Sequence, residues 1–334
     1  GASKVPFDIH GGLCAITSIG AIVFQGTQPV DMNVGQLVLD LGREEAKRHV
    51  APEDRTLVDM SANVLGDESF GMGFCYSGFA IVHLPHRQVA DETVWERANG
   101  RALITLEPGL VPVDGRNVKF GVPYGAHARM IMIYLQTQAV KMRTREIRLG
   151  KSLNGWMRNM GISLGGNSAK RVRDQAMRIS ACRLTFSWID DQGGQGFERA
   201  NIVSAFATPG ASQTWDEFAV LSTDFYDALI ERPIPCREVA LQQLSGSSAA
   251  IDCYVWLAYR LHALRRPTLI PWSALAAQFG SAYNRTRNFR PNFEKALARA
   301  VACYPEAKLD VEQNGLRLHP SPAPVDKRIY AVSS

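Results

Sequence analysis

The stretch from Arg143 to Trp188 constrains the fold of this chain most strongly, because it combines a distinctive order of elements with a concentration of positive charge. Apolar periodicity, glycines and a β-rich run predict an extended segment, a helix, a turn, a second helix and a strand. These elements are expected over Glu146–Leu149, from about Ser152 to Gly161, over Leu164–Asn167, on to about Cys182, and over Arg183–Ile189. This is the order of elements in a winged helix-turn-helix.

Basic residues are concentrated in the same stretch. It holds ten of them against two acids, a net charge of +8 in a chain of 334 residues whose total is +5. Basic charge gathered on a helix-turn-helix is the electrostatic footprint of a phosphate-binding surface. The ten are Arg143, Arg145, Arg148, Lys151, Arg158, Lys170, Arg171, Arg173, Arg178 and Arg183.

A second unit with the same order of elements is predicted near the C-terminus. A short strand at Leu269–Ile270 precedes two helices, Pro271–Phe279 and Phe289–Tyr304, and the Asn314-Gly315 pair is typical of a hairpin turn. The predicted fold class is therefore α+β, with two tandem winged-helix domains. We place them at residues 76–207 and 214–334, behind a poorly defined N-terminal extension, residues 1–75.

Three further elements are predicted in front of the basic stretch. The apolar runs Phe79–Leu84 and Ala102–Leu106 are bounded by proline and glycine, which favours buried strands. Ala126–Lys141 has apolar residues at helical spacing and is expected to form a helix that supports the basic unit. After the basic stretch, a glycine-rich turn and the run Phe197–Ala205 are expected to complete a wing.

The second helix of the first unit is expected to face DNA. Val172, Ala176 and Ile179 should point inward and leave the polar side chains to project. The glycine turn before it places backbone amides at a helix N-terminus, a natural phosphate site, although an ordinary glycine turn is an equal alternative. The DNA-binding residues predicted in this unit are Arg148, Lys151, Asn167, Ser168, Lys170, Arg171, Arg173, Gln175 and Arg178.

The second helix of the C-terminal unit has the side chains best suited to read bases. Arg and Asn can make paired hydrogen bonds to guanine and adenine edges in the major groove. A merely solvated helix face is the alternative, and the strand, turn and hairpin around this helix favour recognition. The residues predicted to bind DNA are Arg285, Arg287, Asn288, Arg290, Asn292, Lys295 and Arg299. Wing residues near Gln192–Gln195 and Asn314 are expected to touch the DNA backbone.

Signatures of an enzyme or a metal site are absent from the sequence. Asn167 stands where a phosphate-binding P-loop needs lysine, and His83 and His86 lack the spacing of a helical zinc pair. We therefore expect no catalysis, cofactor or metal. The six cysteines form no C-x-x-C pair, and the longest apolar run, Leu13–Phe24, is about half a membrane span, so a cytoplasmic protein is expected.

Five segments in order resemble bacterial plasmid replication initiators of the RepA type. They are YGAHARMIMIYLQTQAV (124–140), EIRLGKSLNGWMRNMG (146–161), IDCYVWLAYRL (251–261), PWSALAAQFG (271–280) and the run that begins FRPNFEKALARAV (289–322). The resemblance covers roughly residues 100–322. It implies a tandem winged-helix protein that binds direct repeats (iterons) at a plasmid origin, opens an AT-rich region and recruits host replication proteins such as a helicase or an initiator. It also implies a homodimer through the N-terminal winged helix.

The sequence thus favours a double-stranded DNA-binding plasmid replication initiator that catalyses no covalent step. Two alternatives stay open. One is a transcriptional regulator with two winged helices and no role in replication. The other is an interaction module in which winged helices bind proteins and the basic face is incidental.

Overall fold

Residues 34–100, 102–189, 195–207, 218–280 and 288–325 are described by the computed structural model of the chain. Within these ranges the protein is a mixed α+β structure, in which helices alternate with five small antiparallel sheets. The N-terminal elements are α1 (Val34–Leu41), α2 (Arg43–Ala46), α3 (Arg55–Leu65), β1 (Met72–Tyr76) and α4 (Gly78–Ile81).

The middle of the chain holds the predicted basic unit. Its elements are β2 (Trp95–Asn99), β3 (Ala102–Glu107), β4 (Gly109–Val113), β5 (Arg116–Phe120), α5 (Gly125–Met142), β6 (Glu146–Arg148), α6 (Leu153–Asn159), α7 (Gly166–Ala181), β7 (Arg183–Ile189), β8 (Gln195–Asn201) and β9 (Val203–Ala207). The predicted helices and strand of the basic stretch are confirmed as β6, α6, α7 and β7. Helix α6 begins where the Ser152 hydroxyl accepts a hydrogen bond from the Gly155 amide, a typical N-cap.

The last third of the described chain contains the second predicted unit. Its elements are β10 (Phe218–Leu221), α8 (Thr223–Glu231), β11 (Pro233–Arg237), α9 (Glu238–Leu244), α10 (Ser248–Arg260), β12 (Thr268–Pro271), α11 (Trp272–Phe279), α12 (Phe289–Ala302), β13 (Leu309–Val311) and β14 (Gly315–Leu318). The predicted strand and two helices are confirmed as β12, α11 and α12, and the predicted hairpin as β13–β14, although Gly315 is the first residue of β14 rather than part of the turn. These three strands form one sheet in the order β12-β14-β13.

Several strands pair with partners distant in sequence. Strand β1 pairs with β11, with Met72 opposite Arg237, and β10 pairs with both β6 and β9. The four-stranded sheet has the order β2-β3-β7-β8. The buried apolar side chains form one continuous cluster from Val34 to Leu318. These pairings cross the predicted boundaries near residues 75 and 210, and the division into three units stays a prediction.

Helix α5 lies at the centre of this core. Its buried residues occupy nearly the whole circumference rather than one stripe, and they include the polar side chains of Arg129, Gln136 and Thr137. Gln136 and Thr137 accept hydrogen bonds from the backbone amides of Tyr76 and Phe74 on β1. The helix therefore supports the N-terminal strand as well as the basic unit, which amphipathic spacing alone did not predict.

The prediction of a strand over Phe79–Leu84 is wrong. Residues 78–81 form the short helix α4, and the chain that follows is irregular although Val82 and Leu84 are buried. Its carbonyl groups are satisfied by a side chain instead of a neighbouring strand, because Arg129 donates to the carbonyl oxygens of Leu84 and Pro85. The predicted return strand Phe197–Ala205 is also divided, since β8 and β9 belong to different sheets.

A buried ion pair joins α5, α10 and the segment 82–86. The Arg129 Nε and Nη2 atoms lie 2.6 and 2.7 Å from the two carboxylate oxygens of Asp252. The remaining Arg129 donors reach the carbonyl oxygens of Leu84, Pro85 and Gly125. All five guanidinium N–H groups thus have an acceptor, which is what makes a buried charge tolerable.

Helix α11 is anchored on the same segment. The Gln278 side-chain amide donates to the carbonyl oxygens of Ala80 and Ile81, both at 3.2 Å. The His83 imidazole stacks on the Phe279 ring with centroids 4.7 Å apart. The Arg97 guanidinium on β2 donates to the Ala277 carbonyl oxygen. Side-chain contacts therefore fix the first helix of the C-terminal unit against the front half of the protein.

This buried centre is expected to make stability depend on pH. Burial and the nearby charge of Arg129 lower the pKa of His86 from 6.5 to about 4, although Asp252 acts in the opposite direction and His83 and Arg97 add to the lowering. Between pH 6.5 and about 4, His86 is therefore protonated in the unfolded chain and neutral in the folded protein. The free energy of unfolding should fall by a few kcal/mol between pH 6.5 and about 4, since one pKa unit corresponds to about 1.4 kcal/mol. Urea unfolding across this window measures it.

His86→Gln is the matched control for that measurement. Glutamine keeps a polar group near the Ser248 hydroxyl, which lies 2.9 Å from His86 Nδ1, and it does not titrate. The variant should therefore show a flatter stability profile across the same window. Equal pH dependence in the two proteins would contradict the assignment to His86.

Candidate nucleic-acid interface

The helix pair α6–α7 is built on an apolar base that leaves one surface free. Trp156, Met157 and Met160 are buried on the α6 side, and Val172 and Ile179 are buried on α7. The inward direction of Val172, Ala176 and Ile179 is thus confirmed. The turn that ends α6 requires glycine, because Gly161 has φ +65° and a Cβ atom there would lie 2.9 Å from Gln242 Cα.

The outer face of α7 is basic. Asn167, Lys170, Arg171 and Arg173 are exposed, and Ser168 is half-buried. At the start of the helix, Gly165 provides no side-chain cap, and the space where the Cβ atoms of Gly165 and Gly166 would lie is open. No side chain therefore caps the first amides of α7, and the space beside the two glycines is open, as an anion site at a helix N-terminus requires.

Two predicted contacts on α7 lie inside the protein instead. Gln175 and Arg178 are 3% and 5% exposed, so the prediction that both project is wrong. The Gln175 side-chain oxygen accepts a hydrogen bond from the Tyr124 amide. Arg178 donates to Asp91 and Asp174 at 2.8 and 2.9 Å, and its guanidinium lies 5.2 Å from the centre of the Tyr124 ring. The segment that leads into α5 covers this flank of α7, which the helical spacing could not reveal.

Further exposed cations lie on other segments of the same unit. Arg148 on β6 and Lys151 before α6 are both exposed, as predicted. The charge of Arg171 also reaches the start of α5, because burial and then this charge lower the pKa of His127. Asp174 is engaged by Arg178, so the acid nearest the outer face is largely compensated. The exposed side chains of this surface are thus mainly cationic.

Helix α12 exposes a narrower polar stripe. Its exposed predicted residues are Asn292 and Lys295, with Asn288 exposed just before the helix and Arg299 half-buried along the same stripe. Asn292 donates to the Asn288 carbonyl oxygen at 2.7 Å. The opposite side of the helix is packed through Phe289, Phe293 and Leu297. Asn288, Asn292 and Lys295 are spaced by four and three residues, so their side chains lie together on the solvent side of the helix.

Arg290 lies on a different side of α12. Its guanidinium stacks over the Trp272 ring, 4.4 Å from the ring centre, and its Nε donates to Glu294 at 2.8 Å. Trp272 in turn donates to the carbonyl oxygens of Glu312 and Gln313, next to the β13–β14 turn. Arg290 therefore supports the hairpin through Trp272, and its predicted reading of a base would need these contacts to be exchanged.

Some predicted contacts lie outside the described residues. These are Arg285 and Arg287 ahead of α12 and Gln192–Gly194 in the first wing. Gln195 is the first residue of β8, and Asn314 is exposed at the turn of the second hairpin. One exposed element was not predicted from the sequence at all, the β4–β5 hairpin, although its Asp114-Gly115 pair is a known turn signal.

The described chain also bears on metals and membranes. It holds no group of three or more His, Cys, Asp or Glu side chains placed to share a metal ion. No helix within the described ranges combines the length and apolar character needed to cross a membrane. Five cysteines in these ranges are free thiols, and all of them are buried.

Residues 122–272 match the family model described as plasmid-encoded RepA protein. The resemblance to RepA-type initiators is thereby confirmed over a narrower range than residues 100–322. No curated protein sequence matches the chain. Among solved structures, a selenomethionine crystal structure of domains 2 and 3 of RctB has 14% identity and a TM-score of 0.49, covering 75% of this chain and 99% of that one. A second structure, RctB residues 155–483, has 14% identity and a TM-score of 0.46, covering 72% and 94%.

Two arginines on α7 are expected to respond differently to truncation. Arg178→Ala should lower the free energy of unfolding by about 1–3 kcal/mol, because it removes charged hydrogen bonds in a buried setting. Arg173→Ala, on the exposed side, should change it by less than about 0.5 kcal/mol and should weaken binding to duplex DNA. Urea unfolding and DNA titration of both variants measure this. Normal stability of Arg178→Ala with a larger loss of DNA affinity would instead make Arg178 a surface contact.

Proposed function

We propose that this protein initiates plasmid replication by binding iteron repeats in duplex DNA at the plasmid origin, because residues 122–272 match the family model described as plasmid-encoded RepA protein. The observation that carries the proposal is the exposed basic face of α7, which lies inside the matched region. Lys170, Arg171 and Arg173 are exposed on one helix whose N-terminus has no side-chain cap. Such a surface suits the phosphate backbone of DNA.

The proposed architecture is two winged helices in tandem. The order β6, α6, α7, β7, β8 supports the first, with the β7–β8 hairpin as its wing. The order β12, α11, α12, β13, β14 supports the second, since β12 closes the sheet beside the hairpin. In such a unit the second helix enters the major groove and the hairpin contacts the flanking backbone.

The two units are proposed to divide the work. Helix α7 carries more exposed cations and grips phosphates, while α12 exposes Asn292 and Lys295 on a narrow stripe. Asparagine can make paired hydrogen bonds to adenine, and lysine can donate to guanine. Sequence reading is therefore assigned mainly to α12. The protein would bind the origin noncovalently, promote its opening and recruit host replication proteins in the cytoplasm. It would also be able to form a homodimer.

Maintenance of a reporter plasmid tests the replication role. The plasmid carries only the origin repeats of the parent plasmid, and the protein is supplied in trans from the chromosome. Stable maintenance that depends on the protein is expected. Failure of maintenance together with footprints on the same repeats would show a transcriptional regulator instead.

The salt dependence of DNA binding tests the phosphate grip. Arg171→Ala should make the plot of log affinity against log salt shallower by about one unit, because each neutralised phosphate contributes about 0.9. Arg48→Ala is the control, since Arg48 is an exposed arginine outside both predicted winged-helix domains. A flat salt dependence of the wild-type protein would favour the interaction module over DNA binding.

Asn292→Ala is expected to affect specificity. Loss of a paired contact to a base should cost about 1–3 kcal/mol on origin repeats and little on random duplex. Competition titrations with both DNAs measure the difference. Equal losses on the two DNAs would make Asn292 a backbone contact, and Lys295→Ala then serves as the comparison on the same stripe.

A further inference from the structure

A β-ribbon beside α7 belongs to neither predicted winged helix. Strands β4 and β5 pair only with each other among the described strands and form a separate two-stranded sheet. Asp114 and Gly115 join them with φ values of +49° and +73°. Positive φ at both central residues is the mark of a type I′ turn, whose twist matches that of the strands. The ribbon therefore has a preformed, tightly closed end.

The base of the ribbon is fixed to α7. Gly109 approaches the C-terminal end of the helix so closely that a Cβ atom there would lie 2.0 Å from the Ala181 carbonyl oxygen. At the other strand, a Cβ atom on Gly121 would lie 2.5 Å from Asp91 Oδ1 and 2.7 Å from Arg178 Nη1. The base of each strand thus contacts the flank of α7 where Arg178 is buried. The direction of the ribbon is therefore set by the same helix that carries the basic face.

The exposed chemistry of the ribbon is unusual for a structural hairpin. Arg116, Asn117, Val118 and Lys119 are consecutive exposed residues, and Leu110 is 62% exposed. Among the described residues, neither Arg116 nor Lys119 forms an ion pair with an acid. A two-stranded hairpin has little stability of its own in water. Side chains that pack this element more tightly would be expected here if it served the fold alone.

The cations lie on both faces of the ribbon. Lys119 is opposite Leu110 and Arg116 is opposite Val113 in the register of the strands. Directly opposed residues share a face, and these two pairs are three positions apart along each strand, so they alternate between faces. A ribbon with one cation on each face suits a DNA groove, whose two walls are lined by phosphates, and the major groove admits a two-stranded ribbon.

We propose that the β4–β5 ribbon is an additional DNA-binding element, which lies in the groove next to the α7 contact and neutralises phosphates through Arg116 and Lys119. Asn117, on the same face as Lys119, is placed to contact the sugar or a base edge. The inference rests on the proposed binding of duplex DNA. It adds a contact region that a helix-turn-helix and its wing would not provide.

The test is the salt dependence of binding to a duplex of about 30 base pairs and mixed sequence, roughly three helical turns. Arg116→Ala/Lys119→Ala should reduce affinity and make the salt slope shallower by about two units. Arg116→Lys/Lys119→Arg keeps both positive charges and should have an affinity and a salt slope close to those of the wild type. Arg48→Ala/Arg55→Ala removes two exposed charges outside both predicted winged-helix domains and should leave the slope close to that of the wild type.

The outcomes separate this inference from the proposed function. A normal slope in Arg116→Ala/Lys119→Ala, beside a shallower slope in Arg171→Ala, overturns the ribbon contact and leaves the α7 surface in place. Failure of the wild-type protein to bind the duplex overturns both. A second copy of the chain is the other partner that the ribbon could contact, and sedimentation of the wild type, Arg116→Ala/Lys119→Ala and Leu110→Asp tests this. If the substitutions alter self-association and leave the salt slope unchanged, the ribbon contacts a second copy and the inference is overturned.

Discussion

The buried pair of Arg129 and Asp252 is the interaction on which the rest of this structure depends. It joins the central helix α5 to α10, and the same guanidinium group holds the irregular segment at Leu84 and Pro85. Both side chains are at least nine-tenths buried. Burial is the largest single influence and raises the pKa of Asp252, but the charge and hydrogen bonds of Arg129 together with the nearby His83 and His86 outweigh it, so that this pKa is lowered. Loss of one partner would leave the other charge buried and uncompensated, at a cost of about 3–5 kcal/mol.

The positions of α7 and α12 follow from this centre. Helix α11 is attached to the segment around His83, and α12 packs beside α11 through Phe279 and Phe293. On the other side, α5 packs against α7 and carries Arg129. The basic face of α7 and the polar stripe of α12 are therefore related through buried contacts. The two helices are therefore presented in one fixed arrangement.

The candidate site shows which features of a sequence survive folding. Helical periodicity predicted the exposure of Lys170, Arg171 and Arg173, and among the described residues all three are exposed. Arg178 is also an arginine of α7 and was predicted to project like the other three. It is instead covered by Tyr124 and paired with Asp91. Arg290 was expected among the base readers and lies over Trp272 instead. Periodicity predicts on which face of its helix a side chain lies. It does not show whether a segment distant in sequence packs over that face.

The sequence by itself determined the local helices and strands of both predicted winged-helix regions, the concentration of charge between Arg143 and Trp188, and the resemblance to RepA proteins, because these depend on residue order and short spacings. Tertiary structure decided the rest. It pairs β1 with β11 and β10 with β6, replaces the predicted strand at Phe79–Leu84 by carbonyl contacts with Arg129, and sets the β4–β5 ribbon beside α7. Each of these depends on partners more than forty residues apart in the chain or on a close backbone approach. Such contacts leave no periodic trace in one sequence, since their energy comes from groups that only the folded chain brings together.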